Sequence, residues 1–239
     1  MNILVTGSKG FIGKNLVKYL KSNSLHTIFE FSREDFLDDL EKIIKKIDIV
    51  FHLAGLNKKT INEDFKMVNN NLTKKLCKIL EKNINTKIYY ASSTQAKRNN
   101  EYGKSKKECE RIILELNNSN KNKIAILRLP GIFGMGCKPN YNSVVATFCF
   151  NVINKIPLNI IEPNKEIEIV FIEDLCAQLA ILIEKNDYQN AYIKIDNINK
   201  VTIDYLSKKI SNFQNISNPC TLKNDLEIKL YKTYLSYKT

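Results

Sequence analysis

A tyrosine and a lysine four residues apart are the pair best placed to do chemistry. In the segment YGKSK at 102–106, the phenol of Tyr102 and the ammonium of Lys106 share one face if the segment is helical. A neighbouring ammonium lowers the pKa of a phenol, and a phenol tuned in this way can exchange a proton with a carbonyl or hydroxyl oxygen. The alternative interpretation is a tyrosine and a lysine on a solvated helix face.

Hydroxyl groups upstream could act on the same oxygen. Ser92, Ser93 and Thr94 follow a short apolar run, which predicts that they lie at the end of a buried strand. A hydroxyl in that place can hydrogen-bond a substrate oxygen and polarise it. Ser93, Tyr102 and Lys106 are therefore the predicted catalytic set, and Thr94 is a predicted substrate contact.

The glycine-rich segment TGSKGFIG at 6–13 stands between an apolar run and a helical pattern. Gly7 would allow a tight turn, Gly10 would let a pyrophosphate approach the backbone, and Gly13 would let the helix pack close to the strand. The helix N-terminus offers unpaired N–H groups to an anion. Glycines also mark ordinary turns. We predict a dinucleotide site whose contacts here are Gly7, Lys9, Gly10, Phe11, Ile12 and Gly13.

The residues after the second strand bear on the choice of cofactor. A carboxylate at this place binds the ribose 2′-hydroxyl of NAD, whereas an arginine pairs with the 2′-phosphate of NADP. Ser32 stands at the acidic position and Arg33 follows it, which favours NADPH over NADH. Glu30, two residues earlier on the same strand face, argues in the other direction. The alternative for Arg33 is a solvated loop cation.

Composition narrows the function classes. The chain has 239 residues, 44% of them hydrophobic, a formal net charge of +12, six scattered cysteines and two histidines. Because the lysines are spread along the chain without interleaved aromatic residues, we expect no nucleic-acid partner. The scarcity of histidine and the lack of a CxxC pair predict no metal site. We find no membrane-length apolar run or signal-peptide layout, and expect a cytoplasmic protein with reduced thiols.

Apolar runs alternate with helical patterns, which is typical of an α/β protein with a parallel sheet. Proline and glycine cluster at 130–139, just after the fifth strand, where a ligand would bind. The predicted strands are Asn2–Thr6, Thr27–Phe31, Asp48–Leu53, Lys87–Ser92, Ile124–Leu129 and Tyr192–Ile195. The predicted helices are 11–22, 34–46, 63–83, 103–117, 142–154, 174–186 and 202–212.

These elements together resemble the extended branch of the short-chain dehydrogenase/reductase superfamily, which acts on nucleotide sugars. The glycine segment, the strand end FHLAG at 51–55, Asn69, the Ser-Tyr-Lys set and FIED at 171–174 match motifs of that branch. The resemblance implies a Rossmann-type, doubly wound parallel sheet with a small C-terminal substrate-binding region. It implies an NADP-binding domain at 1–130, to which 166–200 returns, and a substrate region at 131–165 and 201–239. Further implied cofactor contacts are Leu53, Ala54, Gly55, Asn69, Lys106 and Leu129.

Two less common segments, GCKPNYNS at 136–143 and LYKTYLSY at 230–237, resemble the reductase half of a two-domain family of capsular-polysaccharide enzymes. That resemblance implies NADPH-dependent reduction of a 4-keto UDP-2-acetamido-2,6-dideoxyhexose, on the route to UDP-N-acetyl-L-fucosamine, and the superfamily implies a homodimer. The predicted substrate contacts are Arg128, Lys138, Asn140 and Asn142; Arg128 could equally pair with an internal carboxylate.

In that family a zinc-bearing cupin domain adds a C3 epimerisation. The present sequence contains no such segment, so we expect either a separate cupin epimerase as partner or a shortened or decayed form of the enzyme.

Two other functions stay open at this point. One is a nucleotide-sugar 4-epimerase or a reductase of a dTDP-4-ketosugar. The other is a non-catalytic NADP-binding sensor or scaffold, which the short interval between Ser93 and Tyr102 keeps open. Retention of the full Ser-Tyr-Lys set argues against the sensor, since a sensor needs no proton donor.

Overall fold

The structure is a computed structural model that describes residues 1–59, 64–83, 85–120, 122–185, 191–218, 220, 222 and 224–238, with the side chains of 117–120 left aside. The described chain divides into two compact units. The first comprises 1–129 and 176–195, and the second comprises 130–175 and 196–239.

The first unit is built on a six-stranded parallel sheet. Each strand pairs with its neighbours through a continuous parallel register, and the order is β2-β1-β3-β4-β5-β8. The predicted α/β, Rossmann-like doubly wound sheet is confirmed, and all six predicted strands lie in it. The strands are β1 (Asn2–Thr6), β2 (Thr27–Phe31), β3 (Ile49–His52), β4 (Lys87–Ser93), β5 (Lys123–Leu129) and β8 (Tyr192–Ile193).

The strand order reverses between β1 and β3, because β2 lies on one side of β1 and all later strands lie on the other. Such a switch point opens a crevice at the carboxyl ends of the strands. The segments that follow β1, β2 and β3 begin at residues 7, 32 and 53. Three of the predicted cofactor-contact segments therefore start at one edge of the sheet.

Helices connect these strands. They are α1 (Phe11–Asn23), α2 (Leu37–Ile43), α3 (Asn71–Leu80) and α4 (Glu101–Asn120), while α6 (Ile172–Glu184) crosses the unit boundary in the chain. A 3₁₀ turn continues α2, and a π-helical turn at Lys66–Asn70 precedes α3, where the sequence predicted one uninterrupted helix. Residue 63 and residue 186, at the ends of two predicted helices, lie outside the described residues.

The second unit contains a three-stranded sheet that the sequence did not predict. Its strands are β6 (Gly131–Phe133), β7 (Glu166–Phe171) and β9 (Asn199–Thr202), in the order β6-β7-β9. The helices are α5 (Val144–Ile153), α7 (Ile203–Asn212) and α8 (Asp225–Leu235). The sequence analysis assigned 166–200 to the NADP-binding domain; residues 176–195 lie in the first unit, whereas β7 pairs with β6 and β9 in this second sheet.

Candidate active site and cofactor cleft

The glycine segment forms a tight turn between β1 and α1. Gly7 has φ 71°, and its carbonyl accepts a hydrogen bond from the Gly10 amide at 2.9 Å. A Cβ on Gly13 would lie 2.1 Å from the Gly7 carbonyl oxygen, so only glycine fits there. Helix α1 begins at Phe11 with no side-chain cap and no acidic residue in its first turn. Its first amides and the positive end of its dipole are therefore left for an anion.

A cavity of about 450 Å³ opens beside this turn. Its lining includes residues from the carboxyl ends of β1, β2 and β3, from the π turn and from α3, all in the first unit. Seven predicted cofactor contacts line it: Gly7, Lys9, Gly10, Ser32, Arg33, Ala54 and Gly55. Five lining residues were missed by the sequence analysis: Phe31, Asp35, Leu37, Val68 and Leu72.

Asp35 is the most informative of the missed residues. Its Oδ2 accepts hydrogen bonds from the Ser32 amide at 2.6 Å and the Ser32 hydroxyl at 2.8 Å, and these bonds lower the pKa of the carboxyl. The spacing S-x-x-D of Ser32 and Asp35 is that of a capping box, in which the acidic side chain bonds the earlier amide, and it could have been found from the sequence. Glu30 lies outside the cavity lining and binds Lys21 at 2.7 Å, while Lys9 pairs with Glu34.

Ser93, Tyr102 and Lys106 meet at the end of β4 and the start of α4. The hydroxyl of Ser93 hydrogen-bonds the phenol of Tyr102, and it also accepts from the Gln95 amide at 3.2 Å, which caps the 3₁₀ turn Thr94–Lys97. The Lys106 ammonium donates to the Ala91 carbonyl at 2.7 Å. The structure therefore brings together the three residues predicted to be catalytic.

This cluster adjoins the cavity through Gly55. A Cβ built on Gly55 would lie 3.3 Å from both Lys106 Nζ and Asn69 Oδ1, and Gly55 itself lines the cavity. Asn69, on the π turn, bonds both backbone groups of Leu56, at 2.6 Å and 3.0 Å. It thereby fixes the chain that leaves β3, and it also donates to Ser105 on α4 at 3.3 Å.

The pKa of Tyr102 differs from the one that the sequence predicted. Burial raises the pKa of Tyr102 to about 12, and the hydrogen bond from Ser93 offsets this only in part. Burial lowers the pKa of Lys106 to about 8. The predicted lowering of the Tyr102 pKa by Lys106 is not found, because desolvation of the phenol dominates and the ammonium is turned towards the Ala91 carbonyl.

His52 has a structural environment. The ring is fully buried and its nitrogens bond Thr6 at 2.7 Å and Thr73 at 3.2 Å. Burial, reinforced by the charge of Lys106, lowers the His52 pKa to about 3, so the imidazole is neutral at physiological pH. This agrees with the packing role that its position at a strand end suggests.

Arg128 has an internal partner in the first unit. Its Nε and one terminal nitrogen donate to the two oxygens of Glu110 at 2.9 Å and 2.6 Å. This is the internal carboxylate pairing that the sequence left open beside substrate binding. Leu129, the next residue, is buried at the end of β5.

The remaining predicted substrate contacts lie in the loop between β6 and α5 of the second unit. Lys138 lies over the Tyr141 ring at 5.6 Å, and the Asn140 amide bonds Thr147 at 3.0 Å with φ 55° at Asn140. Lys138, Asn140 and Asn142 are exposed. Their side chains are accessible to a ligand, and their role as substrate contacts remains a prediction.

The geometry of the cleft in the first unit fits a nicotinamide dinucleotide. The Gly7 backbone packs so closely on the end of β3 that a Cβ would lie 2.7 Å from the Ala54 amide nitrogen, whereas a Cβ on Gly10 would approach only the Gly7 oxygen, at 3.1 Å. The turn is thus compact on its inner side and open beside the helix N-terminus. That is the arrangement a pyrophosphate requires.

Comparison with known proteins agrees with this cleft. Residues 3–195 match the NAD dependent epimerase/dehydratase family, and the chain belongs to that family. Membership implies a nicotinamide cofactor. Among the described residues, no helix is long and apolar enough to cross a membrane.

Individual relatives refine the comparison. A curated Pseudomonas aeruginosa protein, UDP-2-acetamido-2,6-beta-L-arabino-hexul-4-ose reductase, is 34% identical over 99% of this chain. The crystal structure of the capsular polysaccharide assembling protein CapF from Staphylococcus aureus superimposes with a TM-score of 0.86 at 34% identity, also over 99% of this chain. The chain spans 65% of the length of each. The UDP-glucuronic acid 4-epimerase of Bacillus cereus, at 18% identity and a TM-score of 0.87 over 100% of this chain and 99% of its own, shares the fold.

Proposed function

We propose that this chain is a nucleotide-sugar 4-ketoreductase that uses NADPH to reduce a 4-keto UDP-2-acetamido-2,6-dideoxyhexose in capsular or O-antigen precursor synthesis. The observation that carries the proposal is the position of Lys106. Its ammonium adjoins Gly55 of the cofactor cavity, on the same helix as a phenol that is hydrogen-bonded to Ser93. The 34% identity to a reductase of this substrate class supports the choice of sugar.

The chain's own residues hold the reactants and move one proton. The turn at Gly7–Gly13 and the α1 amides would hold the pyrophosphate of the cofactor, and Arg33 would pair with its 2′-phosphate. When bound, the reduced nicotinamide supplies the hydride for C4 of the ketosugar. Ser93 donates a hydrogen bond to the C4 carbonyl oxygen, and Tyr102 delivers its proton to that oxygen as negative charge develops there. Lys106 binds the ribose hydroxyls.

The protonation state of Tyr102 supports the direction of the reaction. A phenol with a pKa of about 12 carries its proton at physiological pH. Carbonyl reduction needs that proton on the enzyme at the start of the step, whereas alcohol oxidation needs a base. The phenol therefore begins the step in the protonated form that carbonyl reduction requires.

The choice of NADPH rests on Arg33 in the cavity lining and on the engagement of Glu30 by Lys21 outside it. Asp35 is the carboxylate that could favour NADH instead, but its Oδ2 is already bonded twice by Ser32. We also propose a cytoplasmic location and, from the resemblance, a homodimer.

The test is an absorbance assay with a freshly generated 4-keto UDP-sugar and either NADPH or NADH. We expect stoichiometric oxidation of NADPH with formation of the 4-hydroxy sugar. We expect Arg33→Ala to weaken NADPH binding by about tenfold and NADH binding little, since it loses one charge-assisted contact. Arg98→Ala, which changes an arginine outside the cavity lining, is the matched control.

Three results would contradict the proposal. Interconversion of UDP-sugars at C4 without net consumption of cofactor would identify an epimerase. Turnover of dTDP-ketosugars but not of UDP-ketosugars would show that the substrate is a dTDP-sugar. Tight NADPH binding with no turnover of any ketosugar would identify the sensor or scaffold.

A further inference from the structure

The carboxylate of Glu110 lies one helical turn beyond Lys106 on α4 and joins that helix to three neighbouring strands. It accepts from the Ser92 hydroxyl of β4 at 2.5 Å, from two Arg128 nitrogens of β5 at 2.9 Å and 2.6 Å, and from the Tyr192 hydroxyl of β8 at 3.2 Å. Each oxygen takes two of the four bonds. The carboxylate is thus fully bonded in a fixed orientation.

Glu110 is also deeply buried. The residue is 2% exposed, and the side chain of its partner Arg128 is 26% exposed, with the guanidinium lying over the Tyr192 ring at 4.5 Å. Taking a carboxylate out of water is costly unless it is paired and fully hydrogen-bonded, and an apolar pair often serves stability as well. Stability alone therefore gives no strong reason for this network.

The position of the Glu110 network relative to the reaction centre gives a better reason for its presence. Three successive residues at the end of β4 bond three positions on α4. The Ala91 carbonyl accepts from Lys106, the Ser92 hydroxyl donates to Glu110, and the Ser93 hydroxyl bonds Tyr102. Of these three contacts, the one to Glu110 lies furthest from the start of α4. It fixes both the rotation of the helix and its height above the strand.

We propose that Glu110, held by Arg128, is a positioning residue that sets Tyr102 and Lys106 on α4 against Ser93 on β4. This inference rests on the proposed function, since it assigns Glu110 a role in the same reaction. Glu110 itself makes no contact with the reacting atoms. It acts through the helix that carries the proton donor.

The charge of Glu110 allows the positioning role to be tested by a second, independent measurement, which is the pKa of Lys106. Glu110 and Cys109 hold the Lys106 pKa up against the larger lowering effect of burial, while the His52 ring from β3 is electrostatically coupled to Lys106. The other titratable groups that face Lys106 are Tyr90 of β4, whose ring lies 4.9 Å from Lys106 Nζ, and Tyr102 of α4. Removing the Glu110 charge should lower the Lys106 pKa further.

The test compares Glu110→Gln with Glu108→Gln in the full chain. Glu108 is on the same helix and loses the same charge, but it pairs with Arg111 at the surface. For Glu110→Gln we expect kcat for NADPH-dependent ketosugar reduction to fall by roughly 10- to 100-fold, as for a misplaced reacting group, with KM within about twofold. We expect the alkaline limb of the kcat/KM profile to move to lower pH. Glu108→Gln should match the parent chain in all three.

Lysine NMR measures the Lys106 titration without turnover, with the Lys106 signal assigned by its loss in Lys106→Met. A lower Lys106 pKa in Glu110→Gln supports the electrostatic part even if no ketosugar is reduced, so failure of the proposed function stays distinguishable. Ser92→Ala keeps the charge and removes one bond. If Glu110→Gln fails to fold, a loss of kcat in Ser92→Ala, with KM and the Lys106 titration unchanged, supports the positioning role. Parent-like kcat in Ser92→Ala and in a folded Glu110→Gln, with an unshifted Lys106 pKa, would overturn the proposal.

Discussion

Tyr102 is the residue on which the proposed chemistry depends. Its phenol lies against Ser93 and the Phe65 ring, 5.3 Å away between centroids, and burial keeps it protonated. A phenol in this state is a weak acid, but it can protonate the more strongly basic alkoxide that forms at an oxygen held by Ser93. Its hydroxyl should therefore matter to the transition state far more than to the binding of either ligand.

We expect Tyr102→Phe to lower kcat by roughly 10²–10⁴-fold, the range typical of a lost general acid, and to leave NADPH affinity unchanged. Stopped-flow turnover and cofactor fluorescence titration measure the two separately. Tyr19→Phe on α1 removes a phenolic hydroxyl outside the cavity lining and should behave as the parent. Near-parental turnover of Tyr102→Phe would remove the residue from the mechanism.

Lys106 shows the cost of placing a charge in the interior. The residue is 5% exposed and its pKa is about 8 against an ordinary value near 10.5. The folded state therefore binds fewer protons than the unfolded state between these two pH values, so the contribution of this group to stability rises with pH across that window. Below pH 8 the penalty is present in full, at roughly 3 kcal/mol.

We expect Lys106→Met to abolish turnover and yet to raise the free energy of unfolding at pH 7 by about 1–2 kcal/mol, once the lost bond to the Ala91 carbonyl is subtracted. The relieved penalty should shrink to about 1 kcal/mol at pH 10, where the folded protein already holds a neutral lysine, so the net gain disappears. Urea unfolding at the two pH values measures this, with Lys104→Met at an exposed position of α4 as control. A variant equally destabilised at both pH values would contradict the argument.

At the scale of elements, the turn between β1 and α1 separates a folding requirement from a binding requirement. Gly13 sits where a Cβ would meet backbone atoms of Gly7 and Ser8 at 2.1–2.8 Å, which neither strand nor helix can relieve by a side-chain movement. Gly10 has an ordinary φ of −75° and lies on the open side of the turn, where helix α1 begins. Its lack of a side chain matters to the ligand more than to the fold.

We expect Gly13→Ala to lower the free energy of unfolding by about 3 kcal/mol or more through overpacking. Gly10→Ala should fold with nearly parental stability and bind NADPH at least about tenfold more weakly, because the methyl group stands where the pyrophosphate approaches. Urea unfolding and fluorescence titration distinguish the two variants. The reverse pattern would mean that the phosphates bind elsewhere.

The π turn before α3 is a second element with a specific consequence. The extra residue in the turn brings Asn69 to both backbone groups of Leu56 and Asn70 to Cys109 Sγ at 3.4 Å. Such turns are often found at functional sites. Here the turn also supplies Val68 to the cavity lining.

At the scale of the whole molecule, the surfaces of α3 and α4 determine what kind of dimer interface these two helices could form. The apolar stripes of α3 and α4, which include Leu76, Ile79, Ile112 and Ile113, are buried in the core of the same chain. The exposed faces of these helices carry Lys74, Lys75 and Lys78 on α3, and Arg111 and Glu115 on α4.

A homodimer formed through these two helices would consequently be held by charged groups. We expect a dimer that dissociates as salt is raised from about 50 mM to about 500 mM, over which exposed ion pairs are progressively screened. Sedimentation velocity at several salt and protein concentrations measures this. A monomer at every concentration would contradict the homodimer, and a dimer insensitive to salt would place the interface on another surface.

Much of the first unit could be read from the sequence. The first five strands of the parallel sheet are recognisable as apolar runs, because both faces of such a sheet are covered by helices. The glycine spacing and the Tyr102–Lys106 interval are likewise local geometry, which a turn and a single helix fix without help from the rest of the chain.

What required the tertiary structure is everything that depends on distant segments meeting. The sheet β6-β7-β9 pairs residues that are 30–38 positions apart in the chain. The Glu110 network joins a helix to three strands, and no spacing rule predicts it. The direction of the Tyr102 pKa shift also required the tertiary structure, because spacing reveals which charges are near, whereas desolvation is set by how the whole fold excludes water.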